Sequence, residues 1–314
     1  MTRDFHANGK IVLSGEYMVL KGAGAIAVPL KAGQQMKVIH TGETGNTIRW
    51  TANELNKPWF KAQMNSYNLE ILESTDYEVA GKLANILKQA AKLNKHLFAD
   101  HANIDIITNS EFQMNWGFGS SAALIVNISQ WAGVDPFELL FRTTGGSGAD
   151  VAASLSGGPV LYRIVNNKPI FCRVDFAKQF KNQLWLVYLG KKQDTHSSVR
   201  AFSKKGNITV NDVNEIDAIT HKMIDTTTIH DFMKLMEQHE EILSRTLEVT
   251  PVKKMLFSDF EGAIKSLGAW GGDFILAASE NQENEVKNFR KKPFNNRFQW
   301  LASPCCAWLA TAQI

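Results

Sequence analysis

Cysteine is scarce: Cys172, Cys305 and Cys306 are the only three in 314 residues. Their spacing suits neither a metal site nor an even disulfide framework, which suggests a reducing compartment. No apolar run approaches the ~20 residues a membrane helix needs. A strong excess of either charge is also lacking. Lys and Arg number 34 against 31 Asp and Glu, and a net +3 over this length offers no footprint for nucleic acid or a membrane surface. Asp4, His6 and Lys10 precede the first apolar run, which is not the pattern of a secretory leader. Internal repeats and low-complexity tracts are absent. The expectation is a soluble, cytoplasmic protein with no nucleic-acid or membrane partner. What is present is ordinary: 44% hydrophobic and 21% charged residues, in a chain long enough for two domains.

The most informative stretch is Trp116-Gly117-Phe118-Gly119-Ser120-Ser121-Ala122-Ala123-Leu124, a glycine-rich loop running into a helix marked by Leu124, Ile128 and Trp131. Glycines let the backbone take positive φ and approach a ligand without a Cβ in the way. The N–H groups of a helix start lack intrahelical partners, and with the helix dipole they make an anion site that suits phosphate. These residues alone are also read as an ordinary loop with a serine N-cap. No Gly-Lys-Ser/Thr follows and the third Rossmann glycine is missing, so neither of those phosphate motifs is present.

Around the loop, Ile11–Leu13 predicts a short buried strand, Gly15-Glu16-Tyr17 a turn, and Ala25–Leu30 and Met36–Ile39 two further strands. Residues 41–65 read as hairpins and loops. Thr75-Asp76-Tyr77-Glu78 has the capping-box pattern and opens a helix with Val79, Leu83, Ile86, Leu87 and Ala90 on its apolar face. Ile104–Ile107 predicts the strand that leads into the glycine loop. Pro136 starts a short helix carrying Glu138. A second glycine-rich turn, Gly145-Gly146-Ser147-Gly148-Ala149-Asp150, delivers one carboxylate at the start of an apolar segment, where it could equally be a helix cap. Val160–Ile164 and Leu184–Leu189 predict strands. Residues 212–224 and 229–247 predict helices, and His239 on the apolar face of the second reads as a core residue rather than a ligand. Ala263–Gly268 and Phe274–Ala278 predict strands around Gly268-Ala269-Trp270-Gly271-Gly272-Asp273. Residues 281–292 predict a polar helix, with a strand near Phe298; the apolar tail 303–314 has no physical account.

Taken in order, four of these segments resemble the signature of the GHMP small-molecule kinases, and of their mevalonate kinase and phosphomevalonate kinase branch in particular. They are the first motif Gly9-Lys10-Ile11-Val12-Leu13-Ser14-Gly15-Glu16-Tyr17-Met18-Val19-Leu20, the loop Gly117–Ala123, Gly146–Ala152, and Gly268–Asp273. Gly148-Ala149-Asp150-Val151-Ala152 is similar to the Gly-Tyr-Asp-Ile-Ala stretch of a bacterial subgroup. The resemblance implies an α+β fold in two domains. An N-terminal, ribosomal protein S5 domain 2-like domain would cover 1–170 and a C-terminal ferredoxin-like domain 171–314. It implies ATP and Mg²⁺ as cofactors and phosphoryl transfer to a small anionic acceptor such as mevalonate or phosphomevalonate. Asp150 would act on the acceptor hydroxyl, and Lys10 would keep Asp150 ionised and stabilise the transferring phosphoryl group. Gly117, Gly119, Ser120, Ser121 and Ala122 would hold the nucleotide phosphates. Ser121 and Glu138 would be the metal ligands, Glu138 being as readily a solvated first-turn residue. Glu16, Ser147, His196, Arg200, Lys265, Gly268 and Ala269 would surround the acceptor, with Lys21 a further cation. A homodimer is left open. Trp270 stands where the family usually has glycine, Asn115-Trp116 replaces a proline-led start to the loop, and the span from loop to Asp150 is short. Competing readings are a non-catalytic nucleotide or metabolite binder on the same fold, and an ATP-dependent diphosphomevalonate decarboxylase. Retention of Lys10 and Asp150 argues against the non-catalytic reading, because binding alone needs neither.

Overall fold

The computed structural model describes residues 1–99, 102–190, 208–268, 274–280 and 299–300. Among these residues no helix is long and apolar enough to cross a membrane. The chain is of mixed α and β content and groups into two compact units, neither of them continuous in sequence. The first comprises 1–9, 32–114 and 118–155; the second comprises 10–31, 115–117 and 156–314.

In the first unit the strands are the end of β2 (Ala25–Thr44), β3 (Thr47–Glu54), β4 (Lys57–Asn65), β5 (Ile71–Ser74) and β6 (Ala102–Ser110). They hydrogen-bond in the order β5-β4-β3-β6-β2, antiparallel throughout except for the parallel β3–β6 pair. Alternate residues point inward, as a two-residue period requires: Met36 and Val38, Ile48 and Trp50, Ile104 and Ile106 are all buried. They meet the apolar faces of α1 (Tyr77–Leu93) and α2 (Ser120–Ala132), with Leu139 and Leu140 of the short α3 (Pro136–Arg142) closing the cluster. The unit ends in α4 (Ala149–Ser156).

Several local expectations change in the structure. The two strands expected at 25–30 and 36–39 are one strand, and β1 (Thr2–Ser14), far longer than its apolar core, pairs with it. Gly33 permits that approach: a Cβ there would stand 2.4 Å from the Ala7 carbonyl oxygen. The cap of α1 is Asp76, whose carboxylate accepts from the N–H groups of Glu78 and Val79. Thr75 is occupied otherwise, its Oγ1 accepting from Lys61 N–H across the sheet. Helix α2 is buried nearly all round rather than along one stripe, because helices and sheet enclose it.

In the second unit, Ala25–Ala27 at the start of β2 pair with β7 (Val160–Val165), which forms a hairpin with β8 (Lys168–Arg173). Its two-residue turn, Asn166-Asn167, has φ of 51° and 59°, the left-handed pair that asparagine tolerates. A second antiparallel sheet has the order β10-β11-β9-β12, from β9 (Leu184–Tyr188), β10 (Ala263–Leu267), β11 (Phe274–Ala278) and β12 (Gln299–Trp300). Every residue of β9, β10 and β11 is buried, which is why β9 and β11 read as unbroken apolar runs, whereas β10 carries Lys265 and Ser266 into the interior. Helix α5 (Val210–Asp225) packs on α6 (Ile229–Leu247), and α6 packs on β10. The short α7 (Val252–Leu256) brings Val252 to the cluster of Trp185, Val187, Ile264 and Ile275. The polar helix expected at 281–292, most of the strand near Phe298 and the tail 303–314 lie outside the described residues.

Candidate active site

The glycine loop is shaped from both sides. Upstream, Ser110 Oγ donates to the Phe112 carbonyl at 2.7 Å and Glu54 accepts from Met114 N–H at 3.1 Å, which fixes the exit from β6. A short 3₁₀ turn over Met114–Trp116 follows. Trp116 lies against Tyr188 and Phe274, with centroids 6.0 and 5.9 Å away. Gly117 and Gly119 have φ of 70° and 81°, a region where a side chain is strained. Helix α2 then begins with Gly119 as its N-cap and no side-chain cap; neither serine fills that role. Ser120 and Ser121 are the first two helical residues, Ser121 exposed, and the first-turn amides carry no capping oxygen.

The second glycine turn works the same way. Gly145, Gly146 and Gly148 have φ of 69°, 103° and 91°, and the Ala149 N–H donates to Ser147 Oγ at 3.3 Å. This sets Asp150 in the first turn of α4, half-buried, where the helix dipole favours a carboxylate. Lys10 lies on β1 and is 9% exposed.

The third element is the turn after β1, where charge is buried within the second unit. Lys265 on β10 is fully buried, and its Nζ donates to Glu16 Oε1 at 2.6 Å and to the Ser266 carbonyl at 3.1 Å. Glu240 of α6 stands 3.8 Å from the same ammonium and accepts from Ser266 Oγ at 3.1 Å. His239, also fully buried, accepts from Gly15 N–H at 3.2 Å through Nε2 and lies 3.3 Å from Glu16 Oε2. Burial raises the Glu16 carboxyl above its ordinary range, against the pull of Lys265. Burial pushes Glu240 up to about 7, again opposed by Lys265. Burial and the neighbouring ammonium hold His239 well below 6.5, so the imidazole is neutral.

The remaining expected site residues are distributed as follows. Glu138 is exposed on α3 and paired with Arg142 at 2.6 Å, the arrangement of a solvated helix pair. Lys21 is exposed at the end of a 3₁₀ turn, and Gly268 has φ of 65° after β10. Lys265, expected as a cation facing the acceptor, spends its donors inside the protein. His196, Arg200 and Ala269 lie outside the described residues. Sequence reasoning missed the polar role of His239 and passed over Glu240 altogether. The signal was there: Glu240 lies four residues after Met236 and three before Leu243, on the buried side of α6.

With this geometry in view, comparison with known proteins places the fold. It is the fold of the GHMP small-molecule kinases. The mevalonate kinase of Methanococcus jannaschii matches with a TM-score of 0.68 at 20% identity, over 96% of this chain and 97% of that one. The Streptococcus pneumoniae phosphomevalonate kinase, solved with phosphomevalonate and AMPPNP, gives 0.67 at 14% identity over 95% and 100%. The Lactococcus lactis galactokinase, solved with galactose, gives 0.65 at 12% identity over 92% and 88%. No protein-family model matches the sequence, and no curated protein does.

Proposed function

We propose that the protein is an ATP-dependent small-molecule kinase that transfers the γ-phosphoryl group to a mevalonate-type acceptor, mevalonate or phosphomevalonate. The observation that carries this reading is the bare N-terminus of α2 behind two left-handed glycines: first-turn amides with no capping side chain, as a phosphate-binding loop requires. Gly117, Gly119, Ser120, Ser121 and Ala122 hold the nucleotide phosphates. Asp150 takes or orients the proton of the acceptor hydroxyl, and Lys10 stabilises charge on the transferring group. The donor set for Mg²⁺ is small and fits an ion that draws most of its ligands from the nucleotide. Ser121 offers an exposed hydroxyl, whereas the carboxylate of Glu138 is taken by Arg142. Bound there, Mg²⁺ would neutralise the phosphates. Known structures of this fold support the acceptor class, since two of those compared are a mevalonate kinase and a phosphomevalonate kinase.

The test is ADP release, with product mass, against mevalonate, phosphomevalonate, homoserine and galactose. Phosphorylation of mevalonate or its phosphate is expected. Turnover on galactose alone would reject the acceptor class. Nucleotide binding without turnover on any acceptor would point to a binding protein, and loss of CO₂ from diphosphomevalonate to a decarboxylase.

A further inference from the structure

The turn after β1 is strained, and the groups around it explain how the strain is held. Tyr17 has φ 61° and ψ −45°, and Met18 N–H donates to the Glu16 carbonyl at 2.6 Å, closing a three-residue turn. A γ-turn with positive φ is rare and strained for any residue but glycine. Such a conformation persists only where its surroundings over-determine it. Here they do, from four elements. Gly15 N–H is held by His239 of α6, and its carbonyl accepts from Val19 N–H at 2.9 Å. Glu16 is held by Lys265 of β10. Ser14 Oγ donates to Thr220 of α5 at 3.1 Å and accepts from Ile26 N–H of β2 at 3.2 Å. At Gly15, with φ of 77°, a Cβ would stand 2.3 Å from the Gly24 carbonyl oxygen, so the chain cannot shift into that space.

We infer that Lys265 and His239 are positioning residues, which set the Gly15–Tyr17 turn through Glu16 and Gly15 and thereby the end of β1 that carries Lys10, without touching the acceptor. A role as acceptor clamp does not suit Lys265. It is fully buried, and its ammonium donates to Glu16 and to the Ser266 carbonyl with the Glu240 carboxyl 3.8 Å away, so its polar surroundings are supplied from within the protein. The charged and titratable groups that face one another are Glu16 from the turn, His239 and Glu240 from α6, and Lys265 from β10, with the hydroxyls of Ser266 and Thr220 completing the set. One ammonium faces two carboxyls, and burial raises both Glu16 and Glu240 against the pull of Lys265. The role in turnover rests on the kinase reading; the role in holding the turn does not.

The experiment therefore has two arms on the full-length chain: amide hydrogen exchange of the peptide covering 13–22, and steady-state kinetics with ATP and the acceptor the wild type uses. The variants are Lys265→Met, Glu240→Gln and the double change Glu16→Gln with Lys265→Met, which leaves no unbalanced buried charge if the single variant fails to fold. In either Lys265 variant, exchange over 13–22 should rise at least ~10-fold while the peptide of α1 is unchanged, since only the turn loses its hold. With the same variants kcat should fall at least ~10-fold and the acceptor KM should stay within about threefold, the split expected of a group that binds no substrate. Glu240→Gln, which keeps the neutral form and the Ser266 hydrogen bond, should preserve both. An acceptor KM raised at least ~10-fold at unchanged kcat would make Lys265 a substrate ligand and overturn the inference. Wild-type exchange over 13–22 in the double variant would overturn it as well. If the wild type phosphorylates no acceptor, the kinase reading fails, and the exchange arm alone decides whether these residues hold the turn.

Discussion

At the scale of single residues, the buried acid and imidazole of α6 oppose each other in their pH dependence. Glu240 titrates at about 7 in the native state against an ordinary 4.5, so the folded chain keeps a proton that the unfolded chain releases. Its contribution is present in full below 4.5 and is lost as pH rises towards 7. His239 stays neutral in the native state while the unfolded chain takes up a proton below 6.5, so its cost appears as pH falls. Urea midpoints should therefore show Glu240→Gln gaining on the wild type between about pH 5 and 7.5, and His239→Gln gaining below about pH 6. A constant difference across that range would mean that neither group titrates as its burial requires. Asp150 lies half-buried in the first turn of α4. Asp150→Asn should leave the fold and nucleotide affinity intact and lower turnover by at least ~10², the low end of a general-base contribution. Near wild-type turnover in that variant would remove Asp150 from the chemistry.

At the scale of elements, the glycine loop and α2 act together. The apolar body of α2, from Ala122 to Ala132, is enclosed by the core of the first unit and keeps its N-terminus in place. Gly119 is both the N-cap and a left-handed residue, so any side chain there strains the backbone at the point where phosphate would be received. Gly119→Val should abolish ATP binding in a protein that still unfolds cooperatively, since a β-branched residue is a poor occupant of positive φ. Calorimetry showing unchanged affinity would place the nucleotide elsewhere. This element was legible in the sequence because everything that defines it is local: two glycines, two hydroxyls and a helical period within nine residues. The cap at Asp76 was half legible. The pattern announced a helix start, but the choice between Thr75 and Asp76 depended on Lys61, a residue on another strand. The length of β2 was not legible, because Lys31, Gly33, Gln34 and Gln35 interrupt its apolar runs while the strand continues through them.

At the scale of the whole molecule, the limit of legibility is sequence separation. Residues 10–31 belong with the C-terminal unit, and the pair that anchors their turn, Glu16 and Lys265, lies 249 positions apart. A motif reading finds both residues but treats them as separate acceptor contacts, since no period or spacing links a turn near the N-terminus to a strand near residue 265. The fold class survived this limit because the order of glycine motifs along the chain is itself a global property. One prediction belongs at this scale. A ligand that binds only the folded chain stabilises it by RT ln(1 + [L]/Kd), about 2.7 kcal/mol at one hundred times Kd. AMPPNP with Mg²⁺ should therefore raise the unfolding midpoint of the wild type in a concentration-dependent manner. Gly119→Val should abolish the shift, whereas Lys265→Met combined with Glu16→Gln should lower the starting midpoint and retain it. Glu138→Gln should retain it too, because that carboxylate is engaged with Arg142 rather than with the metal. A shift lost in Glu138→Gln would return Glu138 to the metal site. A shift that persists in Gly119→Val would detach nucleotide binding from α2 and leave the loop a structural turn.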